Sequence, residues 1–170
     1  MVEEREMRRH FTVTGFVIGD GKILLHWHPK VEMWLPPGGH IEANEDPVEA
    51  VVREIYEETN LITDVVPTGP VIALGYPPQV TAPFTIMIED INDPVDGFHH
   101  HIDMIYFCRI RGSVSEISPG WVWVTEAQLH SNVQLLNYKG DLVEIPEDVR
   151  EIARYAFEYV GTPRVYTDPI

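Results

Sequence analysis

Three glutamates, Glu54, Glu57 and Glu58, stand within five residues of one another, with Arg53 directly before them. On a helix that turns about 100° per residue they fall within an arc of about 100°, on adjacent turns. Glu54 meets Glu57 at i+3 and Glu58 at i+4, and each such like-charge pair costs about 0.2–0.5 kcal/mol unless something neutralises it. Arg53 offsets part of that cost. A hard divalent cation, Mg²⁺ above all, is the natural counterweight, because it takes oxygen ligands and keeps waters that substrate phosphates can replace. The plain alternative is a solvated acidic helix face with no ligand at all.

The elements around the acids decide between these readings. Asp46 is a helix N-cap, Pro47 suits the first helical position, and Glu49 completes a capping box. Val48, Val51, Val52, Ile55 and Thr59 then recur at helical spacing as one buried stripe, with the glutamates on its flank. Asn60 stands where a left-handed C-cap residue is expected. Ahead of the helix, Phe11 to Ile18 and Lys22 to Trp27 read as a hairpin about Asp20-Gly21. The run from Met33 to Gly39, with two prolines and two glycines, reads as an irregular loop, and His40 to Glu42 as a short extended piece. After the helix, Val65-Val66, Val71 to Leu74, Phe84 to Ile91, His101 to Ile110 and Trp121 to Val124 read as strands. Residues 75–82 and 92–98 read as loops, Thr125 as the cap of a short helix, and Pro146 to Val160 as an amphipathic helix. This order predicts an α+β fold: a mixed β-sheet core sandwiched between helices.

The spacing through this region is specific. Glu45 follows Gly39 by six residues, and Arg53-Glu54 follows Glu45 by eight. The run resembles the signature of the Nudix hydrolases, G-x5-E-x7-R-E-U-x-E-E-x-G-U, with U a bulky apolar residue. Gly39, Glu45, Arg53, Glu54, Ile55, Glu57, Glu58 and Leu61 match it, eight defined positions over the 23 residues 39–61. Asn60 departs from the family's glycine, and asparagine tolerates the left-handed conformation that the position requires. Trp34-Leu35-Pro36 and Trp123 also look like the family. The resemblance covers residues 8 to about 160, within a chain expected to form one domain over 1–170.

The resemblance implies hydrolysis of a nucleoside diphosphate linked to another group, using Mg²⁺ or Mn²⁺. It makes Glu54, Glu57 and Glu58 the metal-binding carboxylates, Arg53 the residue that orients a neighbouring glutamate, and Glu45 a supporting acid. Gly38 and Gly39 become the place where backbone passes close to metal or phosphate. The general base is Glu57 or Glu58, or an acid outside the signature, for which Glu116 is the candidate and an ordinary loop acid the competing reading. A non-catalytic nucleotide-binding module on the same fold is the alternative, and an interaction protein with an acidic helix face is a third.

Composition bounds the rest. The 170 residues carry 12 Lys and Arg against 27 Asp and Glu, a formal charge of −15, so generic nucleic-acid binding is excluded and an anionic substrate needs cations locally. Hydrophobic residues are 44% of the chain, enough for a real core. Cys108 is the lone cysteine, which excludes a disulfide scaffold and reads as buried. No apolar stretch nears the about 20 residues that span a bilayer, and Met1 to His10 lacks the apolar core of a secretory signal, so the expected location is the cytoplasm. The expected partner is a nucleotide-derived small molecule, and a homodimer is expected from the commonest symmetry.

His99-His100-His101 invites a metal reading, but consecutive strand residues point to opposite faces, and His26 and His28 stand on another strand. With no second cysteine, the sequence argues against a zinc site. His101 or Asp103 is expected to point into the cleft. Trp27, Trp34, Tyr76 and Phe98 are candidates for stacking on a base, whereas Trp121 and Trp123 read as sheet packing.

Overall fold

The computed structural model describes residues 8–72, 74–112 and 116–161. In chain order the elements are β1 (Arg9–Gly19), β2 (Lys22–His28), β3 (Met33–Leu35), β4 (Gly38–His40), α1 (Pro47–Thr59), β5 (Thr63–Val65), β6 (Thr85–Asp93) and β7 (Gly97–Ile110). There follow β8 (Trp121–Thr125), α2 (Glu126–His130), β9 (Gln134–Leu136), β10 (Leu142–Glu144) and α3 (Glu147–Gly161).

Eight strands form one mixed sheet, ordered β3-β2-β1-β7-β5, with β4 also paired to β1, β6 to β7 and β8 to β2. Its axis is the parallel pair β1–β7, in register from Arg9 opposite His100 to Ile18 opposite Arg109. The other pairings are antiparallel. Strand β1 is apolar on both sides because both are covered, as parallel pairing usually requires. Val13, Val17, Tyr106 and Cys108 pack under Ala50, Val51 and Ile55 of α1. Phe16, Ile18, Ile105 and Phe107 pack under Val149, Ala153, Ala156 and Phe157 of α3. The α+β sandwich expected from the sequence is therefore present.

Helix α1 begins and ends where its sequence says. Asp46 accepts from the backbone of Val48 and Glu49, Glu49 reaches back to close the capping box, and Asn60 takes the left-handed conformation at φ 63°. The turn at Asp20-Gly21 has both residues at positive φ, as a tight hairpin needs. Thr125 caps α2 through a second capping box, with Gln128.

Three expectations are corrected. Residues 33–39 are not wholly irregular: β3 pairs with β2 and β4 with β1, and Pro36-Pro37 forms the corner between them. Proline forbids a helix there but leaves room for a three-residue strand on either side. Val71, Ile72 and Leu74 form no strand. They are exposed, and the Ile72 N–H is taken by the Gln79 side chain, so apolar composition alone found no strand to pair with. The loop at 92–98 shrinks to a three-residue turn, because β6 and β7 pair out to Asp93 and Gly97, and the Asp93 carboxylate accepts from the backbone of Val95 and Asp96.

No helix among the described residues is long and apolar enough to cross a membrane. Ile55, fully buried between α1 and the sheet, fixes how the acidic helix sits. Ile55→Ala is expected to lower the unfolding free energy by about 2–5 kcal/mol in urea denaturation, with helix content retained.

Candidate active site

Arg53 organises the acids of α1. Its guanidinium has five N–H donors, and the structure gives it five hydrogen bonds. Nε donates to Glu45 at 2.8 Å, and Nη2 to the other Glu45 oxygen at 2.9 Å and to the His40 carbonyl at 3.0 Å. Nη1 donates to Glu54 at 2.8 Å and to Glu57 at 3.2 Å. The paired contact with Glu45 is the two-pronged geometry that only arginine offers. It holds the Glu45 carboxyl below the usual carboxylate range and raises the guanidinium pKa. Glu45 also accepts from the Glu42 N–H at 3.1 Å, so the loop before α1 is tied to the helix through one side chain.

The two glycines have identifiable reasons. A Cβ on Gly39 would lie 2.5 Å from the Glu54 carboxylate carbon, and one on Gly38 would lie 2.4 Å from the Val13 carbonyl oxygen. The close approach expected at Gly39 is thus to the acid that Arg53 holds. The Gly38 N–H donates to Glu58 at 3.2 Å. Burial pushes the Glu58 carboxyl up to about 7, with the Gly38 hydrogen bond opposing the rise and Glu54 and Glu57 adding to it. The Glu58 carbonyl accepts from the Trp121 indole at 3.1 Å, which ties the last turn of α1 to β8.

The structure separates the acids by what they face. Glu58 lines a cleft of about 430 Å³. Glu57 and the exposed Glu116 share a separate, shallow hollow. Glu54 lies against Gly39, between Arg53 and the strand. The cleft is floored by alternate residues of β1 and β7. Thr12, Thr14, His101 and Asp103 all line it, as does Glu89 of β6. His101 and Asp103 thus both face the cleft, as expected of one or the other. Thr12 donates to Asp103 at 2.8 Å, and burial raises the Asp103 carboxyl. The Glu89 carboxyl is pushed up to about 7 by burial and then by Asp103 and Asp148, although the residue as a whole remains exposed. Among the described residues that line the cleft, none is Lys or Arg.

None of the four aromatics expected to stack a base lines the cleft. Trp27 and Trp34 pack edge to face with ring centres 5.6 Å apart, and Tyr76 and Phe98 point outward. Trp121 stacks instead on His26, which does line the cleft and is held down at about 4 by burial and by His28. The sequence singled out His101 and Asp103 but missed Thr12, Thr14 and Glu89 as parts of the same floor. A signal was there: polar residues alternate at 12 and 14 on one apolar strand and at 101 and 103 on another.

A sequence profile described as NUDIX domain matches residues 8–143. The chain belongs to the Nudix family. A NUDIX-family hydrolase from Clostridium perfringens superposes with a TM-score of 0.72 at 29% identity, over 91% of this chain and 99% of that one. A probable DHNTP pyrophosphohydrolase from Lactococcus lactis subsp. cremoris is 24% identical over 85% of this chain and 71% of its own length. An m7GpppN-mRNA hydrolase of Danio rerio is 28% identical over 70% of this chain, but this chain spans only 40% of it. The family match and these hydrolase relatives support reading the chain as an enzyme of this family. Nudix hydrolases generally use divalent metals.

Because Arg53 donates to four residues at once, lysine cannot replace it. Arg53→Lys is expected to cost about 1–3 kcal/mol of stability in urea unfolding, since Glu54 and Glu57 lose their shared donor and Glu45 its paired one.

Proposed function

We propose that this Nudix protein hydrolyses a pyrophosphate bond in a nucleoside diphosphate linked to another group, with Mg²⁺ or Mn²⁺ held by Glu54, Glu57 and Glu58. The observation that carries this reading is the charge of the cleft. Glu58, Glu89, Asp103 and Asp148 line it without a Lys or Arg among the described residues, so a pyrophosphate cannot enter without added cations. Carboxylate oxygen is the ligand a hard divalent ion prefers. Among the described residues the three glutamates do not converge on one point, and an ion would have to draw Glu54 and Glu57 toward Glu58. When bound, the ion supplies positive charge against phosphoryl oxygens and acidifies water.

The chain's own residues do the rest. Arg53 fixes Glu54 and Glu57 in place, and Glu45 fixes Arg53, so the acids are held before substrate arrives. The Gly38 N–H anchors Glu58 at the cleft edge. Of the candidates for general base, Glu58 faces the cleft, whereas Glu57 and Glu116 face the separate hollow. Glu58 is therefore assigned to accept the proton of the attacking water. The apolar wall of Leu35, Phe16, Val149 and Ile152 suits the body of a nucleotide-derived molecule.

A phosphate- and pyrophosphate-release screen tests this reading. The panel holds nucleoside triphosphates, nucleotide sugars, dinucleoside polyphosphates and a capped dinucleotide. Turnover of at least one class is expected with Mg²⁺ and none with EDTA. Glu57→Gln and Glu58→Gln are each expected to lower kcat by about a hundredfold or more, and Glu116→Gln to change it only a few-fold. Nucleotide binding without turnover anywhere on the panel would instead make the protein a binding module. A Glu116→Gln loss as deep as that of Glu58→Gln would move the base to the hollow.

A further inference from the structure

Four histidines meet at the end of the cleft where β1, β4 and β7 run side by side. His99 and His101 lie two apart on β7, so they share a face, and His10 of β1 stands opposite His101 in the parallel register. His40 comes from β4, whose residues pair with β1 at Thr12. The sequence offered three adjacent histidines that a single strand cannot bring together. The sheet discards His100, whose imidazole pairs with Asp90, and replaces it with His10 from the neighbouring strand.

The contacts are between ring nitrogens. His99 Nε2 is 3.3 Å from His101 Nε2, and His10 Nδ1 is 3.3 Å from His40 Nε2. Ligand atoms of His10, His99 and His101 all lie within 4.8 Å of one another. Two nitrogens bound tetrahedrally to one ion at about 2.0–2.1 Å are about 3.3–3.4 Å apart, so the His99–His101 spacing is already that of a coordination edge. His99 is also fixed from behind. Its Nδ1 lies 2.9 Å from the Gly97 carbonyl, which can only accept, so the ring carries a proton there and turns Nε2 toward the other imidazoles. A backbone carbonyl holding the far nitrogen is how metal-binding histidines are commonly oriented. His99 is only 3% exposed, which fixes the ring by packing as well.

We propose that His10, His99 and His101 form a second metal site, separate from the carboxylates of α1, that takes one borderline divalent transition ion such as Zn²⁺. An all-imidazole set favours Zn²⁺, Ni²⁺ or Cu²⁺ over Mg²⁺, which prefers oxygen. His40 stands beside the three, and its backbone carbonyl accepts from Arg53, so the two sites share one short strand. His40 and His101 both line the cleft. An ion held here would add positive charge beside a cleft wall that has no Lys or Arg among its described residues. The site stands on the histidines alone and does not depend on the hydrolase reading.

The test is Zn²⁺ binding by the metal-stripped full chain in excess Mg²⁺, followed by competition with a chromophoric chelator, and Co²⁺ substitution read by visible absorption. One Zn²⁺ per chain and the intense bands of low-coordinate Co²⁺ are expected. H101Q and H10Q, both at partly exposed positions, are expected to weaken Zn²⁺ binding at least a hundredfold while unfolding in urea like the wild type. E57Q is expected to keep Zn²⁺ binding. Absence of Zn²⁺ uptake in the wild type, or uptake that survives H101Q and disappears in E57Q, would overturn the proposal.

Discussion

Arg53 spends every donor it has on holding negative charge and one backbone carbonyl, and most of the site's geometry follows from that. Three carboxylates on adjacent turns of a short helix repel one another. The guanidinium takes up Glu54 and Glu57 from one side and is itself locked by the two oxygens of Glu45. Its five contacts leave Glu58 to a single backbone N–H from Gly38, and burial beside two other acids raises its carboxyl to about 7. The protein thus satisfies its acids unequally, and the least satisfied one is the one that faces the cleft.

That inequality depends on the sheet. Gly39 lets the Glu54 carboxylate lie against the strand, and Gly38 lets β4 approach β1. The buried stripe of Val51, Ile55 and Ala50 presses α1 onto Val13 and Val17, so the acids emerge at the sheet's edge and not over its middle. On the opposite face, the same two central strands present Thr12, Thr14, His101 and Asp103 to the cleft under α3. One strand pair thereby serves as the bed of the acidic helix on one side and as the floor of the cleft on the other.

Local features of the sequence disclosed local structure well. Asp46, Pro47, Glu49 and Asn60 mark both ends of α1 because caps act within a few residues. The Glu45–Arg53–Glu54 spacing could be read as a set because it matches the family signature, although Glu45 lies in the loop before α1 and reaches Arg53 across about two helix turns. What could not be read was pairing across distance. Thr12 meets Asp103, and His10 meets His99 and His101, only because β1 and β7 run parallel with some ninety residues between them. The strands on either side of Pro36-Pro37 were hidden because three-residue strands carry almost no period of their own. Val71 to Leu74 misled for the opposite reason: its composition suits a strand, but Val71, Ile72 and Leu74 are exposed and the Ile72 N–H is taken by the Gln79 side chain.

The most direct measure of the central claim is the thermal unfolding midpoint at neutral pH as a function of Mg²⁺, with K⁺ at matched ionic strength as the comparison. Relief of crowded carboxylates by a bound divalent ion predicts a midpoint that climbs with Mg²⁺, gaining about 2.7 kcal/mol once the ion is a hundredfold above its dissociation constant, and that does not climb with K⁺. Identical curves in the two salts would contradict it.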